Sequence, residues 1–172
     1  MASKSPRKAN GGFDLSQSPS HLLRRCVQYA NDLFSREPGA SELTKQQFTV
    51  LAAVEQNEGM SQTDLVNITG IDRSTLAEMI RRMIERGLLD RERTETDQRA
   101  NSVRIGVAGK KALRTARAAS ERVERTLLAG LAAADRVRFV KMLSMVVSQA
   151  ESADDKKPRG GGDGRAKPRR PR

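Results

Sequence analysis

The stretch "SQTDLVNITGIDRSTLAEMIRRMIERG", residues 61–87, contains two helical segments with almost nothing between them. Ser61 and Asp64 have the spacing of a capping box, which predicts the start of a helix that Gly70 ends. The second segment carries apolar residues at helical spacing, namely Leu76, Met79, Ile80, Met83 and Ile84. A connection centred on Ile71 is too short for anything but a tight turn, so the stretch predicts a helix–turn–helix.

Helical patterns also precede this unit. Ser18 before Pro19 predicts a capped helix, which "EPGA" ends near residue 40. Its apolar stripe is Leu22, Leu23, Cys26, Val27, Ala30, Leu33 and Phe34. Thr44 and Gln47 form a second capping box, which predicts a helix that leads into the helix–turn–helix.

A hairpin and two long helices are predicted after it. Val103, Ile105 and Val107 alternate as in a strand, and "RTETDQRANSV", residues 93–103, forms a charged, exposed tip. Residues 108–150 predict two helices, the second starting at about Asp135. Their apolar positions are Leu113, Ala116, Val123 and Leu127, then Val137, Val140, Leu143 and Val147. The predicted fold is mainly α: a winged helix-turn-helix with dimerisation helices at both ends.

The charge is concentrated at the termini of the chain. The net charge is +11, but residues 1–12 carry Lys4, Arg7 and Lys8 without an acid, and 156–172 carry eight Lys or Arg against Asp163. The body is therefore close to neutral. We expect a disordered basic arm at 1–17 and a disordered basic tail at 151–172, either to attract nucleic acid or to aid solubility.

An enzyme and a membrane protein are both disfavoured. His21 has no neighbouring cysteine or carboxylate cluster that could ligate a metal, and "RGGGDGR" lies outside any strand–helix context, so no metal and no cofactor are expected. No apolar run reaches the roughly 18 residues of a membrane span, and the N-terminus has no signal core. The single cysteine also suits a reducing compartment, which predicts a cytoplasmic protein.

These motifs resemble the MarR family of bacterial transcriptional regulators from about residue 20 to 148. The resemblance is carried by "LTKQQFTVLAAV", "SQTDLVNITGIDRSTLAEMIRRMIERGLLDRE" and "DQRANSVRIGVAGKKAL". It implies a MarR-type domain at 18–150, with dimerisation helices at 18–40 and 108–150 and a DNA-binding lobe at 44–107. It also implies a bacterial, nucleoid-associated location. The sequence departs from the family at Glu78, at Gln98 and at Gly106, where the family's capping threonine is absent.

The predicted DNA contacts lie on the helix–turn–helix and the wing. Arg73, Ser74 and Thr75 open the recognition helix and face the groove, although the two hydroxyls could instead satisfy amides of the first turn. Asp97 is expected to orient Arg99 at the wing tip toward a narrow minor groove. The candidates for phosphate contacts are Gln62, Thr63, Arg81, Arg82 and Arg91, for which a solvated charged face is the alternative.

The outer helices carry more apolar surface than one small winged helix can cover, which predicts a homodimer on a pseudo-palindromic operator. A non-specific DNA-coating protein is the less favoured alternative, because it would not need a reading helix. Resistance of binding to excess random DNA distinguishes the two.

Two candidate triggers could release the protein from DNA. The family resemblance implies a repressor released by a small molecule, and "LLRR" resembles regulators of aromatic-acid breakdown. An anionic aromatic carboxylate or its coenzyme A (CoA) thioester is therefore the expected effector. Its predicted contacts are His21, Arg24, Arg25, Gln28 and Tyr29, although an ordinary amphipathic arm explains the same residues. The alternative trigger is oxidation of Cys26, which its apolar stripe instead predicts to be a packed core thiol.

Overall fold

The computed structural model describes residues 13–40, 42–57, 59–93 and 101–155. After a 3-10 turn at Leu15–Gln17 come the helices α1 (Pro19–Arg36), α2 (Lys45–Gln56), α3 (Gln62–Thr69) and α4 (Arg73–Glu85). Strands β1 (Leu89–Arg93) and β2 (Asn101–Ile105) follow, and then α5 (Val107–Leu127) and α6 (Ala133–Asp155). The predicted mainly α, winged helix-turn-helix fold is confirmed.

The three helix starts predicted from capping residues are confirmed. Ser18 caps α1, with Pro19 in its first turn. Thr44 with Gln47 and Ser61 with Asp64 form complete capping boxes at α2 and α3. Each box satisfies backbone N–H groups that the first turn leaves without a helical partner.

The turn between α3 and α4 is as short as the sequence predicts. Gly70 caps α3 at φ 64°, in the left-handed region that glycine adopts without steric cost. Ile71 is buried directly after it, so the turn is held against the core. The helix–turn–helix is therefore a rigid unit that places the start of α4 at the surface.

The hairpin is antiparallel and pairs Leu89 with Ile105 and Arg91 with Val103. Ser61 forms a further antiparallel bridge to Ser102, which ties the start of α3 to β2. The prediction that Val107 continues the strand is wrong, because this residue is 89% exposed and begins α5. The alternation ends where Gly106 turns the chain into the helix.

Gly106 occupies the place of the family's capping threonine, and α5 accordingly has no side-chain cap. A Cβ atom at this position would overlap the Gly87 carbonyl oxygen. Gly106 also donates its backbone N–H to the Leu88 carbonyl oxygen at 3.0 Å. The close approach of β1 and the start of α5 therefore requires glycine where a cap would otherwise stand.

The core lies among α2, α3, α4, α5 and the hairpin. Its largest fully buried side chains include Leu51, Leu65, Ile80, Leu89 and Leu113. Within α1, Phe34 is the buried residue, while Leu22, Leu23 and Val27 of the predicted stripe are exposed. Most of the α1 stripe is thus left uncovered by this chain.

The chain divides into two compact units, residues 1–130 and 131–172. The second contains α6, which exposes Val137, Val140, Met142, Met145, Val146 and Val147. This helix starts two residues before the predicted Asp135 and ends at Asp155. The prediction of a disordered tail from 151 is thus wrong for residues 151–155, as that of a disordered arm is for Leu15–Gln17. The rest of both predicted segments, apart from residues 13 and 14, lies outside the described residues.

Candidate DNA interface and ligand site

The first turn of α4 is organised by Asp72. Its carboxylate accepts the Thr75 backbone N–H at 2.9 Å and the Ser74 hydroxyl at 2.6 Å. The hydrogen bonds from Ser74 and Thr75 hold the pKa of Asp72 well below its usual range. The carboxylate is therefore the cap of the first turn, and the Ser74 hydroxyl is bonded to this carboxylate.

Arg73 connects the two helices of the motif. Its guanidinium donates to the Thr63 hydroxyl at 3.3 Å, and both side chains are exposed. Gln62, the first residue of α3, is half-buried beside Thr63. Four predicted DNA contacts, Thr63, Arg73, Ser74 and Thr75, are therefore exposed in the helix–turn–helix, and the first two are in contact with each other.

Further along α4, the Glu78 carboxylate pairs with Arg81 and Arg82, two of the residues predicted to contact phosphates. Arg81 donates to both oxygens of the Glu78 carboxylate, at 2.9 and 2.7 Å, and Arg82 donates to one of them at 2.7 Å. The Arg81 guanidinium also pairs with Glu85. Hydrogen bonds from Arg81 and then Arg82 lower the pKa of Glu78 to about 2, so the carboxylate is charged at neutral pH.

These ion pairs show where the side chain of Glu78, which departs from the family pattern, is directed. The carboxylate is directed to the arginines three and four residues further along its own helix, one helical turn away. All of these side chains are at least partly exposed. A phosphate that approached Arg81 or Arg82 would therefore compete with carboxylates, whereas the partner of Arg73 among the described residues is the Thr63 hydroxyl.

On the wing, Arg91 is exposed on β1, and Arg104 of β2 lies 3.7 Å from Asp90 across the hairpin. Arg91 remains accessible to a phosphate. The predicted tip residues Asp97 and Arg99 lie outside the described residues, so their expected roles stay predictions.

Two features of the site were not assigned from the sequence. The Asp72 cap could have been found, because an aspartate directly before an apolar periodic segment is a start signal for a helix. The contact between Thr63 and Arg73 had no such signal, since it depends on the angle between α3 and α4.

The predicted effector contacts lie along the first part of α1. His21 is half-buried, while Arg24, Arg25, Gln28 and Tyr29 are exposed, and Gln28 donates to Asp32 at 3.0 Å. A cavity of about 450 Å³ lies further along the helix, between the end of α1 and the start of α2. Its walls are Asn31, Asp32, Phe34, Ser35, Ala40, Leu43, Thr44, Lys45 and Gln46. None of the five predicted residues lines this cavity.

Cys26 differs from expectation, because its side chain is exposed rather than packed in the core of the chain. The apolar stripe on which it lies is itself largely uncovered, which is why the pattern misled. Among the described residues, no group of three or more His, Cys, Asp or Glu side chains could hold a metal ion. No helix in the described part of the chain is long and apolar enough to cross a membrane.

Comparison with known proteins agrees with this geometry. The MarR family model matches residues 41–100, a range that contains α2, α3, α4 and β1. The transcriptional regulator HosA of Escherichia coli O157:H7 is 30% identical over 128 residues, which are 74% of this chain and 93% of that protein.

Two solved structures with bound or named ligands are also similar. The PcaV transcriptional regulator from Streptomyces coelicolor, in complex with its natural ligand, is 32% identical with a TM-score of 0.72, covering 81% of this chain and 99% of that one. Bordetella bronchiseptica BpsR, whose DNA binding is regulated by 6-hydroxynicotinic acid, is 30% identical with a TM-score of 0.71, covering 79% and 97%. The chain belongs to the MarR family of DNA-binding transcriptional regulators.

Proposed function

We propose that this regulator is a homodimeric repressor that binds a pseudo-palindromic operator and is released by an anionic aromatic ligand. The observation that carries the DNA-binding part is the exposed surface of Thr63, Arg73, Ser74 and Thr75 at the start of the recognition helix. An arginine there can bond a guanine edge in bidentate fashion. Gln62 and Arg91 would then contact flanking phosphates, whereas Arg81 and Arg82 would do so only in competition with the Glu78 carboxylate.

The dimer is supported by apolar surface that the chain leaves exposed. Leu22 is 47% exposed and Val27 is 61% exposed on α1. Such surface is expected to be covered in a stable protein, and a two-fold partner covers it with the same patch. The two recognition helices would then meet half-sites roughly 34–36 Å apart. We infer that 18–40 and 108–150 dimerise and that 44–107 forms the DNA-binding lobe.

The ligand class is supported by two arginines and by the named effector of a relative. Arg24 and Arg25 are exposed on α1 with His21 and Tyr29 one turn away, a set that suits a ring bearing a carboxylate. The compound that regulates DNA binding by BpsR, 6-hydroxynicotinic acid, is an aromatic carboxylate. An aromatic carboxylate or its CoA thioester is therefore the proposed effector. The process that the regulator is proposed to control is the breakdown of such acids in the cytoplasm.

The test begins with selection of bound duplexes from random DNA in the presence of excess competitor. A recovered two-fold sequence is expected, whereas equal recovery of all sequences would indicate a DNA-coating protein. Aromatic acids and their CoA esters are then screened for thermal stabilisation, and each hit for release of the operator. Release requires that the ligand bind the DNA-incompetent state more tightly than the competent one.

Oxidation of Cys26 is the second candidate trigger, favoured by the exposure of the thiol in this chain. Peroxide is expected to release the operator from the wild-type protein and not from Cys26→Ser if this trigger operates. Ligand release that persists in Cys26→Ser, without a peroxide response in either protein, would leave the aromatic effector as the trigger.

A further inference from the structure

Lys45, the first residue of α2, has a largely buried side chain that contacts α1 and α5. This side chain is 17% exposed, and that of its carboxylate partner Glu124 is 57% exposed. Its ammonium donates to the Ser120 hydroxyl at 2.9 Å and to the Glu124 carboxylate at 2.8 Å, both on α5. The same nitrogen lies 5.5 Å from the ring centroid of Phe34 on α1 and 5.3 Å from that of Phe48 on α2. These five residues are called the Lys45 clamp below.

The clamp joins three helices through one charge. An ammonium removed from water needs its carboxylate partner and its remaining hydrogen bonds to offset desolvation, and aromatic faces add attraction. The Phe34 and Phe48 rings are also in contact with each other, with centroids 5.7 Å apart. Because all of its partners are satisfied together, displacement of the ammonium would disturb α1, α2 and α5 at once.

A second ion pair joins α2 to α5 but differs in its setting. Arg117 donates to Glu55, at the other end of α2, at 2.6 Å, and the two side chains are 55% and 43% exposed. Exposed pairs of this kind contribute little, because water and salt screen them. The start of α2 is therefore its firmly held end.

We propose that Lys45 is a positioning residue that holds the DNA-binding lobe at a set angle on α1 and α5. Through that angle it determines which distance between operator half-sites the dimer accepts. This inference rests on the proposed dimeric operator complex. Lys45 itself does not need to touch DNA. Lys45 and Phe34 also line the cavity between α1 and α2, so a molecule that fills this cavity contacts two members of the clamp.

The experiment compares two operators: the one selected by the wild-type protein, and the same sequence with a single base pair inserted between its half-sites. The wild type is expected to bind the lengthened operator at least about tenfold more weakly. Lys45→Met keeps an apolar stem but removes the charge, and is expected to lose most of this discrimination. Arg117→Met removes the exposed cation that joins the same two helices, and this variant is expected to keep the discrimination between the two operators. Lys45→Arg retains the positive charge and is also expected to keep it.

Thermal unfolding of each variant is measured alongside, because a purely structural role lowers stability without changing the affinity ratio. Glu124→Gln changes only the exposed partner and provides a second readout if Lys45→Met does not fold. An unchanged affinity ratio in Lys45→Met or Glu124→Gln would overturn the inference. Failure of the wild type to select any two-fold operator would instead contradict the proposed function.

Discussion

Arg73 is the residue best placed to distinguish one base from another. Its guanidinium is exposed and held by a neutral hydroxyl, so transfer to a guanine edge does not require breaking an ion pair. We expect Arg73→Ala to cost about 1–3 kcal/mol of operator binding and to relax specificity at one base position. Titration of the variant against single-base operator substitutions measures both effects.

Arg86→Ala is the matched control, because Arg86 lies at the opposite end of α4 and donates to the Glu42 carbonyl oxygen at 2.8 Å. The Arg86→Ala variant should have the same base preferences as the wild type. If Arg73→Ala weakens binding to all sequences alike, Arg73 contacts a phosphate and not a base.

Glu78 is expected to restrain non-specific binding. Its carboxylate occupies Arg81 and Arg82, which would otherwise be available to phosphates. We expect Glu78→Gln to raise affinity for random DNA and to steepen its dependence on salt by about one additional phosphate contact. Binding isotherms on a random duplex at several salt concentrations check this.

The control for Glu78 is Glu85→Gln, since Glu85 pairs with Arg81, which Glu78 also holds. We expect Glu85→Gln to change the affinity for random DNA and its salt dependence less than Glu78→Gln does. This difference separates the role of Glu78 from a general loss of negative charge. A salt dependence in Glu78→Gln identical to that of the wild type would mean that the freed arginines do not reach DNA.

At the scale of elements, the recognition helix depends on its cap. The pKa of Asp72 is lowered because the carboxylate accepts hydrogen bonds from Ser74 and Thr75, so its ionised form stabilises the folded chain. This contribution is complete above the ordinary aspartate pKa of about 4 and is lost as pH falls toward the lowered folded-state value. We expect Asp72→Ala to lower the melting temperature at neutral pH, with a smaller difference from the wild type in acid.

Asp72→Asn provides the comparison, because asparagine retains a capping oxygen without a titratable charge. Its melting temperature should lie between those of the wild type and Asp72→Ala at neutral pH. Thermal unfolding from neutral pH to below about pH 4 measures all three proteins. A difference between the wild type and Asp72→Ala that grows on acidification would refute the assigned role of the carboxylate.

At the scale of the whole molecule, the uncovered face of α1 predicts how the chain assembles. A charge at Val27, which is 61% exposed, is expected to oppose burial of that face against a partner. We expect the wild type to sediment as a dimer at micromolar concentration and Val27→Glu to shift toward monomer. Val107→Glu, at a residue 89% exposed on α5, is expected to remain dimeric.

If Val27→Glu stays dimeric while the wild type is also a dimer, the partner does not cover this face of α1. A monomeric wild type would contradict the dimer itself, together with the operator spacing derived from it.

The sequence by itself determined the local structure of this protein. Capping residues such as Thr44 and Ser61, and the short connection at Ile71, act through hydrogen bonds and torsions within a few residues. The periodicity of the apolar residues likewise predicted α4 and the two final helices. The helix–turn–helix, and with it the start of the DNA-reading surface, could therefore be predicted before any three-dimensional information.

Only the tertiary structure decided what depends on contacts between distant residues. Lys45 meets Ser120 and Glu124 more than seventy positions away, and the approach of Gly87 to Gly106 excludes a cap at α5. The same holds for Cys26, since an apolar stripe predicts burial without showing whether this chain or a partner covers it. Packing angles and exposure arise from the sum of such contacts, so no local pattern in the sequence encodes them.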